Sequence, residues 1–188
     1  LESGLASLLR LDDANTEAVF STNPAQRQKA IENRDRIWAL DVETVLVENI
    51  RRLNEEVDAA EKSVMTNTDD GKKDTLAEKL GASTRMRDLW EFNRLNAFKV
   101  YAGMLPDGTE DSNKKYLELA SFAEEFVNSR YENFGRRYEA QLIFGQALSS
   151  AGKAQEAASE LELLVDIEPS ADPPFSDDVI YFIRKMRI

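Results

Sequence analysis

The chain has 188 residues, 35 of them acidic and 24 basic, for a formal net charge of −11; that surplus repels phosphate backbones and anionic lipid surfaces, so nucleic acid and membranes are poor partners. Cys and His are both absent, which removes disulfides, thiolate nucleophiles, imidazole bases and Cys/His zinc sites and leaves the redox compartment unmarked. With 8 Gly, 5 Pro and 42% hydrophobic residues, the composition favours helix nearly throughout, in one core or an extended array of one or two subdomains.

The first residues, Leu1 to Leu11, place Leu5, Leu8 and Leu9 on one face and predict a short amphipathic helix, followed by a polar connection through Asp12, Asp13, Asn15 and Ser21 to Asn23. The chain starts without Met, as expected of a chain that has lost a leader or of an excised domain, and no segment approaches the roughly 18 to 20 apolar residues that span a bilayer. Asn23 followed by Pro24 reads as a helix start, with Asn supplying the capping oxygen and Pro pre-set for the first turn. From Pro24 to about Met65 neither Gly nor another Pro intervenes, and Leu46, Ile50, Leu53, Val57, Ala60 and Val64 form a heptad seam backed by charged positions such as Glu48, Arg51 and Glu55. The seam is short, so it is expected to close a hairpin within the chain. Upstream, Ile31, Ile37, Trp38 and Leu40 fall out of that register, and a bend near Asp41 would account for it.

A turn is predicted over Thr66 to Asp74. A second long block follows from Thr75 to Leu105, frayed near Gly81, whose Trp90, Phe92, Phe98 and Tyr101 have the helical spacing of core residues. After the loop Pro106 to Ser112 come three shorter blocks, Asn113 to Tyr131, Gly135 to Ala151 and Lys153 to Glu168. A terminal helix from Ser176 to Ile188 follows the Pro173, Pro174 breaker. In that helix Ser176 is the expected cap, and Tyr181, Phe182 and Ile183 form an apolar cluster that either folds back on Leu161 and Leu164 or makes an oligomer contact.

Within Tyr138 to Ala171, Phe144, Gly145, Leu148, Gly152, Ala157, Leu161, Leu164 and Pro169 occupy the spacing of one helical hairpin of about 34 residues. Small residues stand where two helices cross closely, large ones fill the gap between units, Gly152 serves the turn and Pro169 ends the second helix. This stretch resembles the tetratricopeptide repeat family, with Gln141 in place of the usual Trp. Shifting back one repeat sets Ala123 and Val127 against Ala157 and Leu161, which marks Ser112 to Tyr131 as the second helix of a degenerate earlier copy. Its first helix would be the far end of the Thr75 to Leu105 block. The phrase from Phe126 to Tyr131 also resembles the inter-repeat segment of bacterial envelope adaptors of this family, which would imply a periplasmic or membrane-anchored setting.

The resemblance implies an all-α protein of antiparallel helical hairpins: a tetratricopeptide-like superhelix behind a long N-terminal helical hairpin, divided into residues 1–74 and 75–188. It implies a non-enzymatic scaffold or adaptor that holds a protein or peptide partner along the first helix of the hairpin, with Glu139, Leu142, Gln146, Ser149 and Ser150 as contact residues, unless the terminal helix covers them. The alternative is a structural module whose Leu46 to Val64 seam drives homo-oligomerisation. Two acidic loops do not fit calcium. Around Asp69, Asp70 and Gly71, Thr66 and Thr68 stand where ligating Asp or Asn belong and Ala77 where the closing Glu belongs; the loop at Asp107, Gly108, Glu110 and Asp111 fails at Leu105. No metal, cofactor or catalytic signature is therefore expected.

Overall fold

The computed structural model describes residues 2–129, 136–167 and 176–186, and its described elements are all helical. They are α1 (Glu2–Phe20), α2 (Pro24–Arg36), a π-helical segment (Ile37–Glu43), α3 (Thr44–Thr66), α4 (Asp70–Gly103), α5 (Glu110–Ser129), α6 (Arg137–Ser150), α7 (Ala154–Val165) and α8 (Asp177–Met186). The chain separates into two compact units, Leu1–Arg94 and Leu95–Ile188. This division falls inside α4, later than the loop at which the sequence placed it.

In the first unit α1 runs on to Phe20, through the stretch expected to be a connection. The reason is that Leu11, Ala14 and Ala18 continue one buried face at spacings of three and four, and this outweighs the weak helix propensity of Asp12, Asp13 and Asn15. The short turn before Pro24 is closed by Asn23, whose Oδ1 accepts from the amides of Ala25 at 2.9 Å and Gln26 at 3.3 Å. Arg27 ties back to the carbonyl of Ser21 at 2.9 Å. Side-chain pairs then run in opposite order along the two helices, Arg34 with Asn15 at 3.4 Å and Arg10 with Asp41 at 3.3 Å, so α1 lies antiparallel to α2 and its π continuation.

Near Asp41, where the sequence predicts a bend, lies the π-helical segment, which buries Ile37, Trp38 and Val42. Ala30, Arg34, Trp38, Val42, Leu46 and Ile50 are each four residues apart, and five of the six are buried. In a regular α-helix every such step drifts by about 40° around the axis, so the face would wander off the core. The wider turns of a π segment absorb that drift. Beyond Ile50 the spacing returns to 4-3-4 with Leu53, Val57 and Ala60, all buried within the chain.

The loop after α3 is shorter than expected, because α4 begins at Asp70. Asp69 starts it, its Oδ1 accepting from the amide of Gly71 at 3.0 Å. The helix continues through Gly81 without a break. Glu43 meets Arg94 at 3.5 Å, while Ala59, Ala60 and Ser63 share a small cleft of about 240 Å³ with Leu76, Lys79 and Ser83. Those pairings make α3 and the first part of α4 an antiparallel hairpin. Phe92 is fully buried there.

The second unit is built on α6, which packs against α5 on one side and α7 on the other, with α8 across both α6 and α7. Gly152 makes the α6–α7 turn possible at φ +78°, a value that L side chains rarely adopt. Phe98, Tyr101 and Ala102 from the end of α4, Leu119, Ala120, Ala123 and Phe126 from α5, and Ala140, Phe144, Ala147 and Leu148 from α6 are buried. Asp111, expected in a loop, lies in the first turn of α5, where the helix dipole favours a carboxylate. Pro169, the Pro173–Pro174 breaker, Arg130 and Tyr131 lie outside the described residues.

Candidate interaction site on helix α6

The α6–α7 crossing fixes the site. At Gly145 a Cβ would stand 2.5 Å from both Cγ and Cδ2 of Leu161, so the two helices approach more closely than any other residue at 145 would allow without a shift. Ala157 is 3% exposed and Leu164 fully buried, as expected for small and large positions at such a crossing. Gln141 is also buried. Its Nε2 donates to Glu160 Oε2 at 2.7 Å and to the Glu160 carbonyl at 3.3 Å, bracing α6 on α7 with hydrogen bonds.

Tyr138, Leu142 and Gln146, four residues apart, and Ser149 and Ser150 one turn further on form one strip along α6 beside that crossing. The strip has two halves. In the N-terminal half Tyr138 and Leu142 are 8% and 4% exposed, covered by Val179 and Ile183 of α8 with Leu164 beneath. Leu142 is therefore core in this chain, and the cluster around Ile183 folds back onto Leu164 with Phe182 and Leu161 packed beside it. Tyr181 stays 69% exposed.

The C-terminal half is open. Gln146, Ser149 and Ser150 line a cleft of about 400 Å³ together with Lys99 and Gly103 of α4 and Tyr116 of α5, over a floor that includes the buried Leu119, Ile143 and Ala147. Three of the five residues expected to make contacts thus share one concavity. Glu139 is set apart from it, half-buried beside Arg136 at 3.7 Å. Sequence reasoning missed Lys99 and Tyr116, which reach the cleft from other helices.

Chemically the cleft offers hydroxyls, an amide and one ammonium above an apolar floor. That suits hydrogen bonding to a polypeptide backbone with an apolar side chain inserted beneath. Among the described residues no Asp or Glu lines it. Among the described residues no group of three or more Asp or Glu is placed to hold a metal ion, and no helix is long and apolar enough to cross a membrane. The sequence matches no family model, and no curated protein and no solved structure is significantly similar to it.

Proposed function

We propose that this chain is a non-enzymatic scaffold that holds a segment of a partner protein in the cleft formed by α4, α5 and α6, the α6–α7 hairpin being a tetratricopeptide-type unit. The observation that carries this reading is the convergence of Gln146, Ser149 and Ser150, spaced along one helix face, on a single open cleft with Lys99 and Tyr116 opposite. The close Gly145–Leu161 crossing and the positive φ of Gly152 support the repeat-type hairpin. The self-association alternative has weaker support. Ile50, Leu53, Val57 and Ala60 are buried within one chain, so a partner could reach that seam only after the α3–α4 hairpin opened.

A photo-reactive residue at position 146 tests the reading in the native host, with the exposed Glu124 of α5 as a control position. Adducts to a discrete partner from position 146 and none from position 124 are expected. Equal yields from both positions, or none from 146, overturn the assignment of the cleft.

A further inference from the structure

The half-covered strip of α6 carries more than the open cleft. The apolar surface made by Tyr138, Leu142 and Leu164 is completed by α8, which supplies Val179 and Ile183, four residues apart on one face, with Phe182 beside them. Few other parts of α8 are engaged: Tyr181 is 69% and Met186 55% exposed, and Arg184 and Lys185 are exposed as well. The helix also carries its own end signals, with Asp177 and Asp178 in its first turn and Arg184 and Lys185 in its last. It is a self-contained amphipathic helix held by two aliphatic anchors.

We infer that this surface is a receptor for an amphipathic helix from a partner protein, with α8 as the resident that such a helix displaces. The occupant's chemistry follows from what α8 does there: a β-branched aliphatic residue at i and another at i+4, an aromatic at i+3, and a polar opposite face. Because the same strip of α6 continues into the open cleft, a partner that also reaches Gln146 gains contacts that α8 lacks, and displacement becomes favourable. The inference extends the reading of the α6 strip as a binding face and rests on it. Occupancy by α8 lowers the apparent affinity of any competing helix by the fraction of time that the surface is free.

The test uses the full chain and a fluorescent peptide of residues 176–188, with a control peptide carrying Val179→Asp and Ile183→Asp. In the chain bearing Ile183→Asp, whose own α8 no longer fits, the peptide should bind at least about tenfold more tightly than to the wild-type chain. The control peptide should bind neither. Equal binding to both chains, or none to the variant, overturns the inference. So does a concentration-dependent dimer of the wild-type chain that Ile183→Asp abolishes, since the occupant would then be the α8 of a second copy. If the variant loses helicity, hydrogen exchange on the wild-type chain decides: α8 amides should exchange at least about tenfold faster than those of α6 and α7, and equal protection overturns the inference. A Gln146→Arg change in the Ile183→Asp chain should leave peptide binding within about twofold, which separates failure of this surface from failure of the cleft.

Discussion

A methyl group added at Gly145 would lie 2.5 Å from both Cγ and Cδ2 of Leu161. Because Cγ is the branch point of the leucine, turning its terminal methyls does not clear the clash, and either the side chain or the helix must shift. Overpacking of this kind costs about 1 to 3 kcal/mol, against a gain of roughly 1 kcal/mol for replacing Gly by Ala in a helix. Gly145→Ala should therefore destabilise the chain by about 1 kcal/mol in urea titration. With Leu161→Ala already present the same change should stabilise it, and a failure of the sign to reverse would show that the two residues do not limit the approach.

Leu142 and Gln146 lie one turn apart on the same strip, yet only the first is buried. Leu142→Ala should cost about 2 to 4 kcal/mol through lost burial and the cavity left under α8. Gln146→Ala should stay within about 0.5 kcal/mol. Comparable losses in denaturant titration would contradict the division of the strip into a covered and an open half.

One turn before Leu161 on α7, Ala157 is 3% exposed. Ala157→Leu should cost about 1 to 3 kcal/mol, measured as a lower urea midpoint with an unchanged slope. An unaltered midpoint would mean that the α6–α7 packing has room that its burial denies.

The cap before Pro24 is a single side chain serving two amides. Asn23→Ala should lower stability by about 1 kcal/mol, whereas Asn23→Asp should retain most of it. Thermal unfolding of the two variants side by side checks this.

On the exposed face of α3, Arg51 donates to both carboxylate oxygens of Glu48, at 2.6 and 3.0 Å, and also to Glu55. The hydrogen bond and charge of Arg51 hold the Glu48 carboxyl below the ordinary glutamate range. A value lower in the folded than in the unfolded chain means that the associated stability is present above the ordinary range and is lost as pH falls through the folded value. Full exposure makes that contribution small. Carboxyl NMR titration should show the Glu48 value rise after Arg51→Ala, and an unmoved titration would remove Arg51 as its cause.

Much of the second unit was legible because its hairpin follows a fixed pattern: Gly145, Gly152, Ala157 and Leu164 each have a packing or turn role that few residues can fill. The cleft was legible only along α6. Lys99 and Tyr116 are brought to it by tertiary packing, which spacing within one helix cannot show. In the first unit Asp12, Asp13 and Asn15 read as a loop because their local preference is for turns, while the buried face of Leu11, Ala14 and Ala18 decided for helix. Leu142 looked like a surface residue by its position on α6, and only the return of α8 from beyond the hairpin buried it.

The run of fours from Ala30 to Ile50 also decides where the first unit tolerates changes in length. Deleting one residue between Ile37 and Glu43 would let the segment relax to ordinary α-helix, and because its wider turns hold about one residue more than α-turns do, Ile50, Leu53 and Val57 would keep nearly the same side toward the core. One residue lost from the regular helix between Ile50 and Val57 would instead turn everything after it by about 100° and bring charged neighbours inward. A deletion among residues 67–69, between helices, carries no such rotation. The segment is thus a point at which the loss of a single residue leaves the inside and the outside of the helix as they are.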